Sequence, residues 1–332
     1  MKIALTGDVM LGRLVDRYVI QDESLSSAAV WGDVLPVLLA ADRRLINLEC
    51  VIGTRGRPWQ PTTKAFHFRA SPRAIEVLRA ARIDCVTLAN NHILDYGEEA
   101  LLECLTLLDQ AGIRHAGAGL HLDDALAFAL LEWPEARVAV IALTDNEPAW
   151  EATETKPGVN YIAYDARGLA APYRARLTEV ITKARGQAEF VIISAHVGPN
   201  WGQPSPAMRA LAHELLDLGA DLFWGHSNHT PQGIEIYKQK AILYSTGDFI
   251  DDYAIDPVER NDLSFLFLLE RTGDESVWIH LYPVAIENFR VRFARGSEVT
   301  FLKERMREKC EGFGSALRFE DPVGTITVRP SR

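Results

Sequence analysis

What most constrains this chain is a repeated alternation: a short apolar run, a polar break, then an amphipathic stretch of helical period. Apolar runs at 2–7, 44–48, 84–89, 137–143, 189–194 and 221–225 read as strands. Helical patterns lie between them at 71–81, 97–111, 169–185 and 206–218. Ser71-Pro72 reads as a cap and first-turn proline, and Gly112 and Gly219 as helix closers. Strand and helix in alternation call for an α/β architecture. Beyond 225 the pattern changes. Runs at 233–237, 241–245, 263–270 and 276–284 follow one another through short turns, which predicts antiparallel pairing. A charged helix over 297–310 and a tail to 332 complete the chain. No Gly/Ser linker, low-complexity tract or repeat divides it. A single domain over 1–332 is expected, with 297–332 packing on it as a C-terminal helix and tail.

The polar residues sit where the strands end. Asp8 follows the first run, Asn47-Leu48-Glu49 ends the second, and Asn90-Asn91-His92 follows the third. His196 ends the run Phe190–Ser194, and Gly225-His226 ends Asp221–Trp224. In an α/β sheet the carboxyl ends of the strands open into a common crevice where ligands bind. A single aspartate after a strand is usually a turn residue. A carboxylate such as Glu49 at the end of a buried strand needs a partner. Oxygen and nitrogen donors delivered together suit one or two divalent ions of the Mn, Fe, Zn or Mg type.

Composition limits the alternatives. With 332 residues the chain can bury a sizeable core, and 45 acidic against 35 basic residues give a net charge of -10. That charge, without a Lys/Arg-dense helix, argues against nucleic acid as a partner. Cys50, Cys85, Cys104 and Cys310 are widely spaced beside apolar runs, which predicts reduced core thiols. The apolar opening Met1–Leu5 is too short for a signal peptide or a membrane span, so a cytoplasmic location is expected.

Four segments together are distinctive: Gly7-Asp8-Val9-Met10-Leu11-Gly12-Arg13, Asn47-Leu48-Glu49, Ala89-Asn90-Asn91-His92-Ile93-Leu94-Asp95 and Gly225-His226-Ser227-Asn228-His229. Their order over roughly 2–250 resembles the CapA family, named for bacterial capsule and poly-γ-glutamate synthesis and related to the calcineurin-like metallophosphoesterases. The resemblance implies a four-layer αββα sandwich with mixed sheets and a metal site at one sheet edge. It implies Asp8, Glu49, Asn91, His196, His226 and His229 as metal ligands, with Glu49 between two ions. His92 takes the place of the adjacent acid or transition-state donor. Two departures stand out. Met10 occupies the histidine position of Asp-x-His, and Gly-His-x-x-His replaces Gly-His-x-His. A thioether is a poor partner for hard ions, so one of the two metal positions is expected to be weak or absent.

Around that set, Asp95 is expected to orient the His92 imidazole, with a helix-cap role as the competing reading. Arg13, Lys64 and Asn47 are candidate contacts to an anionic substrate, small or polymeric. Trp201 is a candidate wall of the pocket. The stretch Asp248–Tyr253 is acidic enough to lie near a cation, although a solvated loop is the expectation for Asp251 and Asp252. The implied activity is metal-dependent hydrolysis, hydroxide attacking a phosphoester or an amide such as a γ-glutamyl bond. The competing reading is a metal-stabilised, non-catalytic accessory protein that works with a capsule-synthesis partner.

Overall fold

The computed structural model describes residues 1–134, 136–273 and 276–329; the end of the expected tail, 330–332, lies outside the described residues. Sixteen strands matter for the site. They are β1 (Lys2–Val9), β2 (Arg43–Leu48), β3 (Cys85–Thr87), β4 (Arg114–Ala116), β5 (Ala129–Trp133), β6 (Ala136–Thr144), β7 (Phe190–His196) and β8 (Leu222–His226). Then come β9 (Ile234–Tyr237), β10 (Lys240–Leu243), β11 (Asp248–Ile250), β12 (Leu263–Arg271), β13 (Val277–Glu287), β14 (Arg290–Phe293), β15 (Arg318–Glu320) and β16 (Val323–Val328). One sheet runs β15-β16-β13-β12-β1-β2-β3-β4, with β11 also pairing β1 and β14 pairing β13. The other runs β9-β10-β8-β7-β6-β5. Both are mixed. Strands β1 to β4 are parallel, as are β6, β7, β8 and β10, whereas β12 and β13 are antiparallel to their neighbours.

Side-chain alternation explains the layering. Ile3, Leu5 and Leu45 meet Val138, Val140, Ile192 and Trp224 in a core between the two sheets. Their neighbours Ala4 and Ile46 turn the other way, into a core shared with α1 (Leu35–Ala40), α2 (Ala74–Ala80) and α3 (Gly97–Ala111). Ala139, Ile141, Val191 and Ile193 turn outward onto α4 (Ala171–Arg185) and α5 (Pro206–Asp217). The result is helix, sheet, sheet, helix, the four-layer sandwich expected. Strands buried on both faces read as near-continuous apolar runs, which is why they were visible in the sequence. The charged helix α6 (Ser297–Glu311) sends Leu302, Met306 and Cys310 into the inter-sheet core.

Local signals held unevenly. Gly112 closes α3 at φ 71, a left-handed position that suits glycine. Ser71 is not a helix cap, because α2 begins at Ala74 and the Ser71 hydroxyl donates instead to Asp16 Oδ1, at 2.7 Å. All four cysteines are buried and unpaired. Among the described residues, no helix is long and apolar enough to cross a membrane.

Candidate metal centre

The parallel strands of both sheets bring their carboxyl ends to one place. Asp8 lies near the end of β1, in register with Asn47 on β2. His196 and His226, the last residues of β7 and β8, are themselves paired in register. The strand just before Asp8, where the register with β2 shifts, is held by a close backbone approach. A Cβ on Gly7 would stand 2.1 Å from the Gly247 carbonyl oxygen, so no larger residue fits. Asp8 N–H then donates to that same carbonyl at 2.8 Å.

One oxygen each of Asp8 and Glu49 and one ring nitrogen of His196 lie within 4.8 Å of one another, all three residues being buried. His196 spans the two acids, its Nδ1 3.9 Å from Asp8 Oδ2 and its Nε2 3.8 Å from Glu49 Oε1. His226 Nδ1 is 2.7 Å from Asp8 Oδ1, yet neither ring nitrogen has an aligned hydrogen-bond partner. The Asn91 side-chain oxygen is likewise buried and unpartnered. Leaving such atoms unsatisfied costs about 1–3 kcal/mol each. A divalent cation would remove that cost, and the carboxylate, imidazole and amide donors fit one.

Asn47 was expected on the substrate side. It is fully buried instead, and its amide is used inside the protein. Nδ2 donates to Asp8 Oδ1 at 2.8 Å and lies 3.1 Å from His196 Nδ1, while Oδ1 accepts from Thr87 and Asn90. It orients two ligand candidates from behind.

His92 stands apart from the set. Its Nδ1 is 2.6 Å from Asp95 Oδ2, and its Nε2 is 4.0 Å from Glu49 Oε1. The ring is stacked under Phe68 with centroids 3.7 Å apart. Asp95 also accepts from the Phe68 N–H at 2.6 Å and makes no side-chain cap on α3. Lys64 is nearly buried. Its ammonium is 3.3 Å from Asp95 and 3.2 Å from Glu147, and it donates to the Asn91 carbonyl. Arg13 is exposed at the rim. It is held 3.2 Å from Asp252 and lies over the Phe66 and Phe68 rings.

Two further residues enter that the motif reading left out of the site. Asp248 on β11 lies in register with Asp8, is fully buried, and takes His229 Nδ1 at 2.9 Å. Tyr253 donates its hydroxyl to Glu49 Oε2 at 2.9 Å. The acidity of 248–253 was the available signal, but the loop is not solvated. Asp251 is buried, accepting from the Tyr253 N–H. Asp252 is buried too, with the Leu14 N–H and Arg13 on one oxygen. Burial is tolerable there because β11 docks beside β1, which brings the Leu14 N–H and Arg13, just after β1, to Asp252. Trp201 lies over His229, ring centroids 5.5 Å apart, and remains partly exposed.

Residues 2–253 match the family described as bacterial capsule synthesis protein PGA_cap. The chain belongs to that family. A Mycobacterium tuberculosis relative, named "Probable polyglutamine synthesis accessory protein", is 32% identical over 94% of this chain and 92% of its own length. The capsule biosynthesis protein CapA of Bacillus anthracis is 30% identical over 75% of this chain and 59% of its own. Among solved structures, a candidate 5'-nucleotidase of Staphylococcus aureus in complex with alpha-ketoglutarate aligns with 93% of this chain and 58% of that one, at 15% identity and TM-score 0.47.

In this PGA_cap protein the histidine position of Asp-x-His is closed. Met10 is buried in the helix-side core, and its sulfur already accepts the Gly12 N–H at 3.1 Å. The remaining electrostatics call for a cation. Burial, and then Asp8, push Glu49 well above the usual carboxylate range. Burial raises Asp248 and Asp251 as well, each aggravated by a neighbouring acid. Burial would raise Asp8 also, but His226, His196 and the Asn47 amide together hold it well below its ordinary value. His92 is lowered by burial and by Lys64, and His196 is pushed down to about 3, mainly by burial. With His92 and His196 lowered by burial and Lys64 already paired, Glu49, Asp248 and Asp251 are left short of positive charge. A divalent ion bound there would supply it.

Proposed function

We propose that this chain is a metal-dependent hydrolase, acting on a phosphoester or on an amide such as a γ-glutamyl bond. Asp8, Glu49, Asn91, His196, His226 and His229 would hold one ion, or two. Residues 1–332 would work as one unit, α6 completing the core between the sheets. When bound, the ion supplies Lewis acidity, polarising the scissile group and lowering the pKa of water to about 7.

The observation that carries the reading is His92. Its Nδ1 is engaged by Asp95, its ring is clamped by Phe68, and its Nε2 is aimed at the Glu49 side without a bond. The Asp95 carboxylate selects the tautomer with hydrogen on Nδ1, which leaves a lone pair on Nε2. In that state Nε2 accepts the proton of the attacking water and passes it to the leaving oxygen or nitrogen. Lys64 partly offsets the burial that raises Asp95 to about 7 and so favours its ionised form beside the imidazole. Asn47 holds Asp8 and His196 in place.

The test is turnover of bis-p-nitrophenyl phosphate, p-nitrophenyl phosphate and γ-glutamyl-p-nitroanilide, with elemental analysis of the same protein. Hydrolysis of at least one substrate, abolished by chelation and restored by metal, is expected. A fully metal-loaded protein inert toward all three would leave the second reading, a metal-stabilised accessory protein for synthesis of an anionic polymer. The name of the mycobacterial relative and the closed Met10 position favour that alternative. Co-purification with a synthase would support it.

A further inference from the structure

The metal centre is assembled from two sheets, so its geometry depends on what holds their edges at a fixed spacing. Asp8, Glu49, Asn91 and His92 come from the strand ends of one sheet, His196 and His226 from those of the other. The turn that follows β6, residues 144–147, touches both halves. On the imidazole side, the Thr144 hydroxyl donates to the His196 carbonyl at 2.8 Å, and the Asn146 amide donates to it at 3.2 Å. Asp145 accepts the Gly198 N–H, two residues past His196. Glu147 crosses to the other half, where its Oε1 lies 3.2 Å from Lys64 Nζ.

Lys64 is the joint between the halves. An ammonium carries three N–H donors and no acceptor. Here it meets three acceptors: the Asn91 carbonyl, Asp95 Oδ1 at 3.3 Å and Glu147 Oε1. Its side chain is only 6% exposed, and its Nζ stands 4.8 Å from the Trp150 ring centroid. Trp150 is itself fully buried, with Trp59 edge-on against it at 5.6 Å. Glu147 sits at φ 54 and ψ 65, directly before Pro148. A residue other than glycine takes that left-handed conformation only at a cost, and keeps it where its surroundings over-determine it. The backbone is thus strained at the residue whose side chain crosses to the other half.

We infer that Glu147 is a positioning residue for His92, acting through Lys64 and Asp95. Asp95 Oδ2 holds His92 Nδ1 at 2.6 Å while its Oδ1 faces Lys64, so the ammonium governs where that carboxylate stands. With Glu147 in place, the ammonium is shared between two carboxylates. Without it, one donor is left unsatisfied in a nearly closed site, and the ammonium shifts further onto Asp95. Asp95 then moves, and His92 Nε2 leaves its station 4.0 Å from Glu49 Oε1. The turn that holds the His196 carbonyl thereby also sets the imidazole of His92 against the ligand residues. The kinetic consequence rests on the hydrolase reading; the geometric one does not.

The experiment follows the His92 ring directly, by nitrogen-15 NMR of the full chain labelled at its nine histidines and loaded with diamagnetic Zn²⁺. The His92→Gln variant identifies the signals. Glu147→Ala should shift both His92 ring nitrogens, and Glu147→Gln, which keeps an oxygen for Lys64, should shift them less. Glu151→Ala, which breaks the nearby ion pair with Arg176, should leave them in place. In the same proteins Glu147→Ala should lower kcat about tenfold or more with KM unchanged, and Gln should restore most of it. The loss should be greater for phenyl phosphate than for p-nitrophenyl phosphate, because the poorer leaving group depends more on the proton that His92 delivers. If Glu147→Ala fails to fold, Glu147→Asp, one methylene short of Lys64, should shift the same signals. His92 signals that stay in place, or that move equally in Glu151→Ala, overturn the inference. A lower melting temperature with those signals and kcat unchanged makes Glu147 a packing residue. Shifted signals in a chain that hydrolyses nothing would sink the hydrolase reading and retain the positioning role. Hydrolysis at the wild-type kcat with unshifted signals in Glu147→Ala would do the reverse.

Discussion

His92 and His226 are both buried histidines at strand ends, yet their surroundings assign them opposite tasks. His226 stands with Nδ1 2.7 Å from Asp8 and no aligned hydrogen bond at either nitrogen, whereas His92 is committed at Nδ1 to Asp95. His226→Ala should therefore cut metal occupancy sharply in a protein that still folds. Unchanged metal content by elemental analysis would remove His226 from the ligand set. His92→Ala should keep its metal and lose roughly 10²–10⁴ in turnover, the usual range for general acid–base work. Loss of metal with the activity would make His92 a ligand. Normal turnover with a lower melting temperature would make it a packing residue. The spacing Asn91-His92-x-x-Asp95 made an orienting Asp95 readable in the sequence, but the same letters fit a helix cap equally well. The contact at 2.6 Å and the uncapped α3 separate the two.

At the level of elements, the centre depends on how β1 meets the segment that leads into β11. Gly7 and Gly247 touch through their backbones, and β11 then carries Asp248 into register with Asp8. Gly7→Ala should destabilise the chain by about 1–3 kcal/mol, the usual cost of overpacking, because the obstructing atom is backbone and cannot rotate away. It should also lower metal affinity, since Asp8 is the next residue. Chemical denaturation and metal titration of one variant check both. Wild-type stability would show that the strand backbone relaxes around the added Cβ. The long apolar strands β1, β2, β6, β7 and β8 were legible as runs. Strands of two or three residues, such as β3 and β11, carry too little periodicity to define their ends. The pairing of β11 with β1 joins positions about 240 residues apart, beyond any local pattern.

For the whole molecule, the buried charges make metal binding and pH interdependent. Glu49, Asp248 and Asp251 are raised by burial, and Asp95 to about 7 by the same cause. Without metal, these groups hold protons in the folded state that the unfolded chain releases near pH 4, so their contribution falls as pH rises toward 7. His196 acts in the opposite sense. Its value of about 3 lies below that of the unfolded chain, so its contribution is present above about pH 6.5 and is lost as pH falls toward 3. A divalent ion replaces the protons on the acids. The melting-temperature gain on adding Mn²⁺ should therefore grow between pH 5 and pH 8. A gain that is flat or shrinks over that range would place the ion away from these carboxylates.

The sequence by itself determined the α/β class, the two styles of strand pairing and which strand ends carry donor atoms. Those features are local: an apolar run buried on both faces and the polar residue that stops it are adjacent letters. Only the tertiary structure decided which donors meet and which are diverted. Asn47 turns behind Asp8, Lys64 is drawn to Asp95 and Glu147, and Asp251 and the Asp252 carboxylate are buried where a solvated loop was expected. Phe68 and Tyr253 arrive from loops far along the chain to hold His92 and Glu49. Whether a polar side chain faces a ligand, a neighbour or water depends on the partners that packing brings within about 3 Å, and those partners lie far away in the sequence.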